Sequence, residues 1–232
     1  MQEVKVSVLG KDQKSYNVAD FAASGKNYSD AIGIIFETPL MSRVLAFEGW
    51  LEKWGNTNRV LTEAQSEAEA VQVLSGLELT KRIVEAQADM EEMTAAKRCW
   101  NNKTGGLQWY LPCLMEVGAL YVARDKINEA MKTLDCPDDF LLPTEDSNET
   151  WVWSSSEYSQ FISWGVYFGN GGFFYLNKHY SSVVRAVAAI QPSPSLSTGE
   201  AKSTDCLHSD EALVEMLRER GYQGTLSKTL TV

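Results

Sequence analysis

No apolar run in this 232-residue chain approaches the length of a membrane-spanning helix. The opening MQEVKVSVLGKDQKSYNV also has no stretch long enough for a signal peptide. The expectation is a protein made in a cytoplasm and not inserted directly into a membrane. Basic residues are few: 21 Lys and Arg stand against 31 Asp and Glu, a formal charge of −10. No Lys/Arg cluster interrupts that acidic surface, which argues against nucleic acid as a partner. The four cysteines, Cys99, Cys113, Cys136 and Cys206, show no C-x-x-C spacing and no nearby His. Reduced thiols are therefore expected, with no metal site, although a Cys99 to Cys113 bridge is conceivable. Histidine occurs only at His179 and His208, and neither is paired in sequence with a nucleophile. No catalytic residue and no cofactor are expected.

Residues 3–9 alternate like a short strand and are followed by a polar run to Asp30, so residues 1–30 are expected to form an exposed arm or edge. AIGIIFETPLMSRVLAFEGW reads as a hairpin turning at Thr38-Pro39. Trp50 and Trp54, four apart, would share one face of a helical turn. From Thr62 to Asn101 the composition is helical, with a start at Thr62-Glu63 and a break at Gly76. Pro112 makes Trp109, Tyr110 and Leu111 extended and starts a helix after it, with Leu114, Val117, Leu120 and Tyr121 as its buried stripe. A second helical segment is expected from Asp125 to Leu134. Residues 135–149 hold six carboxylates among turn formers, but the ligand order of a calcium loop is missing, so a solvated acidic loop is expected. Residues 191–209 read as a linker and 210–232 as a small helix-strand element that offers attachment to a carrier protein.

The stretch from Trp151 to Ile190 contains only three charged residues, Glu157, Lys178 and Arg185. Between Ser163 and Asn170 it alternates: Trp164, Val166 and Phe168 have core character, and Ser163, Gly165, Tyr167 and Gly169 fall on the other parity. With Tyr158, Ser159, Phe161, Phe173, Tyr175, His179, Tyr180, Ser181 and Ser182, that second set is rich in Tyr, Ser, Gly and Phe. Rings supply rigid contact area, while Ser and Gly supply adaptable hydrogen bonds, a composition suited to recognition. These residues are the candidate ligand-binding set. The competing reading is that the rings are simply core.

Three stretches carry a resemblance. GGLQWYLPCLMEVGALY is similar to the helix-start motif of bacterial domains with the C-type lectin fold, and WVWSSSEY and VVRAVAAI resemble that family's two flanking core strands. Within it, residues 31–190 look most like the variable ligand-binding proteins of diversity-generating retroelements of gut bacteria and their phages. The resemblance implies an α+β fold with two or more helices packed on small antiparallel sheets. It also implies a framework of Trp153, Trp164, Val166, Phe168, Asn170, Gly171 and Arg185 carrying diversified positions between them. The implied partner is a protein or surface glycan. Calcium-dependent sugar binding would need tripeptides that do not occur here. An enzyme of the formylglycine-generating type would need paired active-site cysteines that this stretch lacks. The alternative class is a structural or adhesin-like virion or cell-surface module that uses the same face for assembly.

Overall fold

The alternation at the start of the chain becomes a strand, Lys5–Gly10 (β1), in the computed structural model, which describes residues 4–55, 59–63, 65–144 and 150–190. Contrary to expectation, β1 is neither an arm nor an edge. It pairs with the two-residue strand Ser15–Tyr16 (β2) on one side and with Ala31–Glu37 (β3) on the other. Val8 and Leu9 are buried as a result. The polar run that looked solvated holds a short helix, Val18–Ala23 (α1), capped by the Asn17 side chain, which buries Phe21.

The hairpin forms as expected, β3 returning as Ser42–Lys53 (β4), with Thr38 N donating to Met41 O at 2.9 Å across the turn. β4 continues through Trp50, which lies opposite Val184, so the helical turn expected to align Trp50 with Trp54 does not form. Trp54 is nevertheless a core anchor, fully buried, with Nε1 donating to Ser154 O at 2.8 Å.

The helical region resolves into Glu67–Ala70 (α2), Leu77–Ala86 (α3) and Ala95–Asn101 (α4). Thr62-Glu63 starts no helix, because the Thr62 amide and hydroxyl are held by the Glu157 carboxylate. Gly76 does break the run, and it lies so close to the neighbouring chain that a Cβ there would sit 2.3 Å from Leu111 O. After Pro112 the chain enters Leu114–Thr133 (α5), one helix of 20 residues where two segments were expected. No proline or chain break separates its halves, and its buried stripe runs on from Leu114, Val117 and Leu120 through Ile127 to Met131. Tyr121 lies at the margin, half-buried.

The remaining strands are Trp151–Glu157 (β5), Ile162–Tyr167 (β6), Gly172–Asn177 (β7) and Ser181–Ala189 (β8). The two stretches read as flanking core strands are thus β5 and β8. The eight strands among the described residues form one mixed sheet of order β2-β1-β3-β4-β8-β5-β6-β7, where small antiparallel sheets were expected. The α+β class is correct. A single parallel register pair, Val152 opposite Val183, joins β5 to β8, and the other pairings are antiparallel.

Alternate residues of the strands feed two cores, one on each face of the sheet. Val8, Ile34, Phe36, Leu45, Val152, Trp164, Val166 and Val187 meet α5 on one face. Ile35, Val44, Ala46, Trp153, Val184, Ala186 and Ala188 meet Ile83 of α3 and Ala96 and Cys99 of α4 on the other. Cys99, Cys113 and Cys136 are free buried thiols, so the conceivable Cys99 to Cys113 bridge is absent. Cys206, His208, the expected linker and the C-terminal element lie outside the described residues. Among the described residues no helix is long and apolar enough to cross a membrane.

Two buried charges lock these layers. Arg185 on β8 spans the bulge in β4, donating from Nη1 to Phe140 O at 2.7 Å and from Nη2 to Ala46 O and Phe47 O at 3.0 Å each. Burial pulls its pKa down to about 10, so it stays charged at neutral pH. Glu116 on α5 accepts four hydrogen bonds, from Arg43 Nε at 2.5 Å, Tyr110 OH at 2.8 Å, Gly76 N at 2.8 Å and Cys113 N at 2.9 Å. Removing it orphans all four donors and leaves Arg43 without its counter-ion. Glu116→Ala is expected to cost about 3–5 kcal/mol in urea unfolding, and a loss under about 1 kcal/mol would show that the hub is dispensable.

Candidate binding surface

The loops that carry the exposed rings are organised by Glu157, the last residue of β5, and Lys178, the first after β7. Both side chains are fully buried and form an ion pair. Glu157 also accepts from Leu61 N at 3.0 Å, Thr62 N at 2.5 Å and Thr62 Oγ1 at 2.6 Å, which pins the 61–62 segment. Lys178 Nζ reaches Gln160 O at 3.3 Å and lies 4.5 Å from the centroid of the Trp54 ring. Burial lowers the pKa of the ammonium, opposed by the Glu157 carboxylate. Backbone bonds complete the lock: Lys178 N donates to Phe161 O at 2.9 Å, and Gly55 N donates to Lys178 O at 3.2 Å. The β5–β6 turn and the β7–β8 turn are thereby tied together over a charge that contact with water never screens.

Beyond this lock, β5, β6 and β7 form a ribbon with rings on both faces. Tyr158 stacks on Tyr175 with centroids 5.0 Å apart at 8°, and both meet the edge of Trp164 at 5.5 Å. On the opposite face Trp151 lies 4.8 Å from Tyr167 and 5.3 Å from Phe174. Register explains the split, since Trp164 pairs with Tyr175 while Gly165 pairs with Phe174. The first cluster adjoins the α5 core and the second lies on the face of Trp153.

The candidate residues do not all share one surface. Tyr158, Phe161, Tyr175 and Tyr180 are 42–65% exposed, His179 and Ser181 are exposed, and Ser159 is half-buried. Tyr167 and Gly169 are half-buried on the other face, the Tyr167 ring filling the space beside Gly169. Phe173 is half-buried against Gly118 of α5. Ser163, Gly165 and Ser182 are buried and are corrected to framework. Ser163 Oγ donates to Ser156 O and Ser182 Oγ to Trp151 O, while Gly165 lies tight against the Val152 carbonyl. The expectation of one core face and one displayed face fails at β6 because the sheet has a core on each side.

Of the expected framework, Trp153, Trp164, Val166, Phe168 and Arg185 are buried. Asn170 is exposed but caps the β6–β7 turn, accepting from Gly172 N at 2.9 Å, and Gly171 takes φ +75° there with the Tyr121 ring against it. Sequence reasoning missed Phe174, which is 42% exposed, and the pairing of Glu157 with Lys178. The sequence left Glu157, the one acid among three charges in a neutral stretch, to pair with either Lys178 or Arg185, and the exposure of both parities of β7 follows from its place at the sheet edge.

The chain matches no protein-family model, no curated protein and no solved structure in comparisons with each. The geometry alone therefore bears on its role. Lys178→Met leaves the Glu157 charge buried without a counter-ion and is expected to cost about 3–5 kcal/mol, much of it recovered by adding Glu157→Gln. Tyr158→Ala and Tyr175→Ala, at partly exposed rings, are each expected to cost no more than about 1–2 kcal/mol. Calorimetric melting of the four variants checks this ranking, and equal losses would make the two tyrosines structural.

Proposed function

We propose that the chain is a non-catalytic ligand-binding domain of C-type-lectin-like architecture, related to the variable proteins of diversity-generating retroelements. Its contact surface comprises Tyr158, Ser159, Phe161, Tyr175, His179, Tyr180 and Ser181. The observation that carries this reading is the exposure of four large rings, Tyr158, Phe161, Tyr175 and Tyr180, on a ribbon whose only charged residues are buried. Exposed aromatics cost solubility, and clustered on a rigid frame they supply apolar area with little ordering entropy on binding. Support for the architecture comes from the Trp-Tyr-Leu-Pro segment, which leads into α5, and from β5 and β8, which carry the other two resembling stretches. The expected partner is a protein or surface glycan, with hydroxyls and amides of the Ser and Asn residues setting specificity. A buried frame separate from the exposed rings suits diversification, because a side chain can change without refolding its support.

The test is nucleotide sequencing of sibling isolates, looking for a near-copy of codons 151–190 beside a reverse transcriptase. Differences are expected at adenine-bearing codons for the exposed positions Tyr158, Phe161, Tyr175, His179 and Tyr180. Codons for Trp153, Glu157, Ser163, Gly165, Lys178, Ser182 and Arg185 are expected to stay constant. An identical stretch in every isolate, with no copy, overturns diversification.

A further inference from the structure

We infer that the outer edge of β7 takes up an extended peptide from a partner as an added strand, and that this is how the proposed surface engages a protein. The inference rests on the binding reading above and narrows its partner class. β7 is the last strand in the sheet order and, among the described residues, is paired on one side only. Its register with β6 runs unbroken from Ile162 opposite Asn177 to Tyr167 opposite Gly172, so the outward N–H and C=O groups form a regular row that ends at the Asn177 carbonyl, which accepts from Tyr180 N at 3.0 Å. Free edges of this kind are normally blunted by brevity, charge, proline or a bulge. The opposite edge is blunted: β2 has two residues and is preceded by the exposed pair Asp12 and Lys14. β7, GFFYLN, has none of these defences. The one charge beside it, Lys178, is turned inward onto Glu157.

A strand laid along β7 sends alternate side chains to either face, where Tyr175 stands on one and Phe174 on the other. Main-chain bonds would supply affinity and the two ring clusters specificity. Size and charge select the occupant. Six residues span about 20 Å, a length that suits one added peptide strand, whereas a stable dimer needs a buried surface of roughly 1,200 Å², more than a single strand edge supplies. A second copy would also bring another −10 charge, whereas a neutral or basic segment meets no such repulsion.

The test pans a random twelve-residue peptide library against the full chain and scans the best peptide with single N-methyl substitutions, reading dissociation constants by titration. Strand addition predicts a two-residue period, with loss of about tenfold or more where a peptide N–H faces β7 and little change at intervening positions. Phe174→Lys should weaken the same peptide while leaving the melting temperature near that of the parent. A scan without that period overturns strand addition. So does failure of any peptide to enrich while a glycan array binds through Tyr158 and Tyr175, an outcome that leaves the binding reading intact. Absence of binding to both libraries overturns both.

Discussion

The ion pair of Glu157 and Lys178 is the constraint on which the displayed part of the molecule depends. Taking two charges out of water costs several kcal/mol each, and the cost is offset only where geometry and extra hydrogen bonds are good. Here the carboxylate gathers the Thr62 amide and hydroxyl and the Leu61 amide, while the ammonium sits over the Trp54 ring. Four separate pieces of chain, at Trp54, Leu61–Thr62, Glu157 and Lys178, must therefore arrive in one arrangement. A hydrophobic plug of equal size would tolerate sliding, whereas this set of directional bonds does not.

The second organising fact is that the sheet is covered on both faces. That explains how Ser163 and Gly165, residues of small and polar type, come to be interior. β6 lies between β5 and β7, so its side chains face α5 on one side and the Trp153 layer on the other. Gly165 lets the Val152 backbone approach, and Ser163 settles its hydroxyl on Ser156 O. The same small residues that give an antibody loop its adaptability give a packed strand its closeness, and composition alone does not separate the two uses.

Much of the local structure was legible. The β3–β4 hairpin, the break at Gly76, the extended Trp109 to Leu111 and the helix after Pro112 follow from turn chemistry and from the missing N–H of proline, which act within a few residues. The interior place of β1 and the opposite facing of Tyr167 and Tyr175 depend on which strands become neighbours, and that order is not written in any window of sequence, whereas the continuity of α5 was legible in its apolar spacing and its lack of proline. Within the ring-bearing stretch, the exposed subset was not separated from the buried one. Tyr158, Phe161 and Tyr180 are exposed because they sit in turns, Tyr175 because it lies on the last strand, and Ser182 is buried because β8 is interior.

The bulged pairing of β4 with β8 has a temporal consequence. Arg185 and Ala46, joined by a hydrogen bond of 3.0 Å, lie 139 positions apart. During synthesis β4 therefore waits, paired on one side, until the whole ribbon has emerged and β8 follows it. A frameshift or stop codon within the ribbon removes the strand that closes the sheet and leaves β4 an open, aggregation-prone edge. Closure of the sheet thus requires that the ribbon be read in frame to the end of β8.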